Sequence, residues 1–186
     1  QDKYTYDPKF WSPRNDTLYD YVKKMRDMGV SKPWEKYIEE GKEILHAEES
    51  NFYRPAAKTD KLYALVDNEM VQVEHPHPPS SYDRHRDENK PRIRYGPIAG
   101  GRYIARNFKI RMDFAMKNNI KAYDMEFAPV LDSIEGNRKS SYLIIRGIAD
   151  YVDGQKNKDW QPYAALAAAA YMKALLVALP SASRQY

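Results

Sequence analysis

Cysteine is absent from the 186 residues, which excludes a disulfide framework and any thiol chemistry. Glycine is sparse at 8 residues, and only Gly29 and Gly41 precede Gly96. The first half therefore holds no Gly-rich loop able to cradle a phosphate. Blocks of like charge are missing too, because 30 basic and 26 acidic residues interleave for a net +4. Such a surface is mostly solvated, so nucleic-acid binding is not expected. The Ala-rich stretch near the C-terminus is long enough to raise a membrane span. Lys173, the many alanines and the Gln161-Pro162 start argue against it, and no membrane partner is expected. With no secretory signal in view, the expected location is cytoplasmic. The chain begins at Gln1 rather than Met, which fits a processed product or a piece of a longer chain.

Tyrosine is plentiful, at 16 residues. Tyr-rich surfaces favour contacts between proteins. Tyr4, Tyr6, Phe10 and Trp11 crowd into residues 1–14 beside Pro8 and Pro13. This segment reads as an extended arm whose aromatics need a surface, on its own subunit or on a neighbour. Residues 15–186 are then one domain, large enough for a real core.

Asn15, Asp16 and Thr17 are good caps before the stripe Leu18, Tyr21, Val22 and Met25, and Gly29 ends that helix. Ser31, Pro33 and Glu35 open a second helix with the stripe Trp34, Tyr37, Ile38, Ile44 and Leu45, interrupted by Gly41. Lys61 to Val66 fits a short helix or a strand equally well. Glu74 to Lys90 is a breaker-rich loop holding His75, His77 and His85 with Glu74 and Asp83. Its spacing matches no metal-ligand pattern, and an exposed polar loop is the expected reading.

Arg92 to Ile98 alternates as a strand should and enters Gly96, Gly100 and Gly101. Ile104 to Asn119 fits a helix with Ile104, Phe108, Met112 and Ala115 on one face. Lys121 to Glu126 is the next strand, Phe127 to Ile134 a short helix despite Pro129, and Ser141 to Ala149 a further strand. A helix from Asp159 to Leu179, apolar all round, is expected to lie buried under the sheet. This alternation implies an α/β fold, a mixed sheet flanked by helices.

The chain is organised around Ser141 to Tyr163. Tyr142-Leu143-Ile144-Ile145 suits a strand buried on both faces, and Arg146, Gly147, Asp150 and Asp153 follow it. Ligands of open α/β sheets sit beyond the carboxyl ends of strands, which singles out Asp150. A turn or cap role is its alternative. Glu126 also ends a predicted strand and can accept two hydrogen bonds from vicinal hydroxyls; a surface ion pair is the alternative. Met125 beside it can pack on an apolar ligand face or simply in the core.

Three motifs in order carry a resemblance: Tyr95 to Gly101 (YGPIAGG), Tyr123-Asp124-Met125-Glu126, and the run from Arg146 to Leu176 (RGIADYVDGQKNKDWQPYAALAAAAYMKALL). Together they resemble the nucleoside phosphorylase and nucleosidase superfamily, nearest the branch often fused to signalling modules in fungi. The similarity covers roughly Thr17 to Leu179 and only the later part of the family's domain. It implies a phosphorylase-like fold lacking the family's N-terminal strands, and an activity that cleaves the N-glycosidic bond of a purine nucleoside. No cofactor and no metal are implied. Asp150 matches the aspartate that protonates the departing base, Glu126 and Met125 hold the ribose, and the backbone from Gly101 to Ile104 lines the base pocket. A carboxylic acid does such work near neutral pH when burial or neighbours raise its pKa. Arg146 reads as a structural partner to a carboxylate.

Several positions depart from that pattern. Gly100 stands where the family has Ser, while Arg102, Phe127 and Pro129 add bulk or charge beside the pocket. The early glycine-rich strand end that holds phosphate or water has no counterpart, nor has the segment lining the sugar. The expectation is a truncated, catalytically impaired protein that retains nucleoside binding or serves as a self-assembling structural protein. An active enzyme whose N-terminal half is removed or supplied by another chain is the alternative. Missing strands would leave sheet edges to cover, so a homo-oligomer is expected, or a filament where head-to-tail contacts do not close. Asp150, Glu126 and Met125 are expected to converge on one concave site.

Overall fold

A computed structural model describes residues 8–27, 33–48, 51–67, 69–75, 91–101, 108–137, 141–151 and 158–180. In chain order the described elements are the helices α1 (Thr17–Asp27) and α2 (Glu35–Ile44), a 3-10 turn (Ala57–Thr59), and the strands β1 (Leu62–Val66), β2 (Glu69–Val73) and β3 (Ile98–Gly100). Then come α3 (Phe108–Asn118), β4 (Ala122–Asp124), α4 (Phe127–Gly136), a second 3-10 turn (Lys158–Trp160) and α5 (Gln161–Ala178). The class is mixed α/β, with one parallel and one antiparallel strand pair among the described residues. Two units divide the chain. One takes Gln1–Ser31, Arg94–Ile144 and Ala178–Tyr186; the other takes Lys32–Ile93 and Ile145–Val177.

In the first unit, β3 and β4 pair in parallel, with Ile98 opposite Ala122 and Gly100 opposite Asp124. Glycines bracket β3. Gly96 has φ 151° and Gly101 φ 133°, conformations that side chains disfavour. The strand predicted from Arg92 is therefore shorter, since residues 91–97 take no strand pairing and β3 begins at Ile98. Between the strands, α3 buries Ile110 (5% exposed) and Phe114 (7%) and leaves Met112 40% exposed. The predicted face through Met112 is thus corrected. Residues 110 and 114 share a face at i, i+4, and Met112 lies on the other side. Ile104 lies outside the described residues. The helix stops as expected at Asn119, whose φ of 52° lets Ile120 N–H donate to Ala115 O at 3.0 Å. Tyr123 Oη donates to Arg111 O at 2.7 Å and ties β4 to α3.

Asn15 Oδ1 accepts Thr17 N–H at 3.3 Å, so the expected cap cluster opens α1 and Val22 is buried. Pro129 is tolerated because it falls in the first turn of α4, where its missing N–H has no helical acceptor. The described part of the arm folds onto its own unit. Lys9 pairs with Asp132 of α4 and sits 5.1 Å from the Trp11 ring, while Phe10 is 72% exposed. That hydrogen bond raises the Lys9 pKa and lowers that of Asp132. Tyr4 and Tyr6 lie outside the described residues.

The second unit is built on α5, which buries Tyr163, Ala164, Leu166, Ala170, Tyr171, Ala174 and Leu175. Gly41 is where α2 comes closest, because a Cβ there would overlap the Leu166 side chain. The apparent gap in the α2 stripe is therefore its seat on α5, and Trp34 and Ile38 are buried beside it. Ile44 falls outside the packed face. Lys173 Nζ donates to Glu40 Oε2 at 2.9 Å. Gly147 plays the same part for the segment before Asp150, since a Cβ would overlap the Ala164 carbonyl.

Lys61 to Val66, undecided in sequence, contains a strand: β1 pairs antiparallel with β2, with Val66 opposite Glu69. Asp67, in the two-residue connection with Asn68, has φ 48°, as tight hairpins require. Two expectations are corrected. Residues 141–149 form neither helix nor strand. A strand in the middle of a sheet needs hydrogen-bonding neighbours on both edges and cover on both faces, whereas among the described residues β3 and β4 form a two-stranded sheet and Tyr142 to Ile145 are only half-buried. Burial nevertheless raises the pKa of Tyr142, with the charge of Glu135 adding to it. Second, α5 is buried on one face only, with Met172, Leu176 and Val177 exposed. No helix among the described residues is long and apolar enough to cross a membrane.

Candidate functional site

The predicted site residues fall in both units. In the first, the sequence Asp124-Met125-Glu126 carries the chain from the carboxyl end of β4 into α4. Asp124 is 6% exposed, and its Oδ1 accepts Glu126 N–H at 2.8 Å. A short carboxylate two residues before an amide is the geometry that turns a strand into a helix. Glu126 takes the cap position of α4, makes no side-chain cap hydrogen bond and is exposed, as is Met125. Gly100 faces Asp124 across the pair. A Cβ at Gly100 would stand 3.6 Å from Ala128 N, an ordinary contact distance, so the start of α4 lies close without requiring glycine there. Nothing lies within 4 Å of where a Cβ at Gly101 would be, so the strand end is open there. The first unit thus gathers Gly101, Met125 and Glu126 at the carboxyl ends of two parallel strands. Ile104, the fifth predicted residue, is outside the described residues.

In the second unit Asp150 lines a cavity of about 180 Å³ together with Thr59, Asp60, Lys61, Ile148, Tyr151 and Trp160. The walls are held by side chains rather than by a ladder. Trp160 Nε1 donates to Thr59 Oγ1 at 3.0 Å, and Tyr151 Oη donates to Asp60 Oδ1 at 2.8 Å. Arg54 places its guanidinium 5.2 Å from the Trp160 ring, a cation–π contact, and Tyr163 meets the same ring edge-on at 6.3 Å. Burial pushes the Tyr163 phenol up, against the nearby Arg54 charge. His75 packs on Tyr151 with ring centres 5.3 Å apart, and its Nε2 lies 3.1 Å from Asp60 O. Asp60 also borders a second cavity of about 360 Å³ with Leu62, Gln72, Glu74 and His75. Arg146 is exposed. Among the described residues no group of three metal-ligating side chains forms, and His77, Asp83 and His85 lie outside them.

Sequence reasoning passed over Asp60, Thr59, Tyr151, Trp160 and Asp124. For Asp124 a signal existed, namely an Asp two residues before the start of a predicted helix. For Thr59 and Asp60 none did, because their partners Trp160 and Tyr151 are 101 and 91 residues away.

No family model matches the chain, and no solved structure matches it. A curated relative from Hyaloscypha variabilis, described as a nucleotide-binding leucine-rich repeat (NLR)-like protein, is 36% identical over 93 residues. That match takes in 50% of this chain and 9% of the relative. The chain accordingly spans only a small part of the relative it matches.

Proposed function

We propose that this chain is a nucleoside phosphorylase-like module that binds a purine nucleoside and does not cleave it on its own. The observation that carries the reading is Asp150 in the wall of a cavity that Trp160 and Tyr151 also line. Aromatic rings stack on a planar heterocycle, and a carboxyl group bonds its ring nitrogens. The three resembling motifs support the assignment. The relative is named for nucleotide binding, which accords with a module that binds a nucleoside.

Lack of turnover is part of the proposal. These residues hold no phosphate cradle before Gly96, and an unplaced nucleophile forfeits roughly 7–11 kcal/mol of positioning. Titration calorimetry with adenosine and inosine tests the reading. Saturable binding should weaken at least tenfold in Asp150→Asn; no heat, or unchanged affinity in that variant, would overturn it.

Self-assembly is a second reading, favoured by the β1–β2 hairpin. Among the described residues β1 and β2 form a two-stranded sheet, and Leu65, Val66, Met70 and Val71 are exposed on it. Unpaired edges recruit strands. Light scattering on the chain and on a form starting at Asn15 decides. Monomers in both cases end this reading, while an oligomer lost on deletion assigns the contact to the arm.

A further inference from the structure

The segment that carries Asp150 has no secondary structure, so its position must come from side chains. Both aromatic walls of the Asp150 cavity are bonded to one dipeptide. Trp160 donates to Thr59 Oγ1 at 3.0 Å and Tyr151 donates to Asp60 Oδ1 at 2.8 Å. The dipeptide is itself fixed by the 3-10 turn. Thr59 Oγ1 donates to Ala56 O at 2.7 Å, Thr59 N–H to Ala56 O at 2.9 Å, and Asp60 N–H to Ala57 O at 3.0 Å. His75 closes the far side, against the Tyr151 ring and 3.6 Å from Asp60 Oδ1. Arg54 backs Trp160.

We infer that Thr59 and Asp60 are positioning residues that set the gap between Trp160 and the Asp150–Tyr151 segment. Resting on the nucleoside reading above, the width of that gap governs affinity for the purine base. Neither residue needs to touch the base. Thr59 acts through Trp160, and Asp60 acts through Tyr151 on the adjacent Asp150. Two prongs on consecutive residues of a hydrogen-bonded turn cannot drift apart, which makes the turn a gauge for the cavity. The hydroxyl of Thr59 both donates and accepts, so replacing it by a methyl removes one of the turn's bonds and frees the Trp160 wall, while the backbone bonds of the turn remain.

Hydrogen exchange on the full chain tests the clamp without any ligand. Tyr151→Phe should speed exchange of the hydrogen-bonded amides of Thr59 and Asp60 about fivefold, the worth of one net hydrogen bond. Asp60→Asn, whose amide oxygen still accepts from Tyr151, should keep the slower rate. Amides inside α5, from Ala170 to Leu175, should not change in either variant. Unaltered exchange at Thr59 and Asp60 in Tyr151→Phe, or equal acceleration in α5, overturns the inference. Adenosine titration adds the functional arm: Thr59→Val and Tyr151→Phe should each weaken binding about tenfold while melting temperature stays within a few degrees. Wild-type binding that is matched by both variants overturns the clamp. A wild type that fails to bind, with exchange responding as stated, removes the nucleoside reading and leaves the clamp standing.

Discussion

Glu126 in the first unit and Asp150 in the second both follow apolar stretches, yet they stand in different surroundings. Glu126 is exposed at the start of a helix, placed by the Asp124 carboxylate behind it. Asp150 lies in a cavity wall on a segment without secondary structure, placed by Tyr151, Asp60 and a turn far away in sequence. Glycines differ in the same way. In the first unit Gly96 and Gly101 supply backbone angles; in the second Gly41 and Gly147 supply space against α5. Glu126 is thus placed by its sequence neighbours, and the cavity wall at Asp150 by contacts between residues distant in the chain.

Substitutions can break or sharpen this contrast. The largest effect is expected at the core of the first unit, where Phe114→Ala should cost about 3–5 kcal/mol in urea unfolding. Met112→Ala on the opposite face of α3 should cost less than about 1 kcal/mol. Equal costs would mean the face is misassigned. In the second unit, Gly147→Ala should cost about 3 kcal/mol, because the new methyl meets backbone that cannot move aside. Gly41→Ala meets only a side chain end and recovers roughly 1 kcal/mol of helix propensity, so it should come out near neutral. If the two glycines behave alike, space is not what distinguishes them.

A smaller effect is expected from pH. The Tyr163 phenol is held above its ordinary value by burial, so the folded state keeps a proton that the unfolded chain releases near pH 10. Its contribution is therefore complete below about pH 10 and is lost as pH rises from there toward the folded value. Tyr163→Phe should flatten the alkaline fall in melting temperature, and an unchanged slope would refute the assignment. The smallest effect belongs to Lys9. Removing it with Lys9→Ala should leave the melting temperature unaltered at high salt, because Lys9 and Asp132 are both exposed.

Local signals were legible before any coordinates. The cap cluster before α1, the stop at Asn119, the helix through Pro129 and the parallel β–α–β order all follow from neighbouring residues. What could not be read depended on partners. Tyr142 to Ile145 has the composition of a central strand, but composition does not say whether neighbouring strands are present to bond it. The face of α3 was misjudged because Met112 and Ile110 are both apolar and only packing chooses between them. Asp150 was singled out for a strand end that does not exist, and its cavity depends instead on Thr59 and Asp60, which no spacing rule links to it.

The most direct test of the account is to incubate the purified chain with adenosine at a concentration that saturates it, with and without phosphate, and to chromatograph the bound fraction. The account predicts intact nucleoside released on denaturation, in an amount that falls with Asp150→Asn. Free adenine appearing in turnover amounts, and disappearing in that variant, would contradict it, as would a bound fraction with no nucleoside at all.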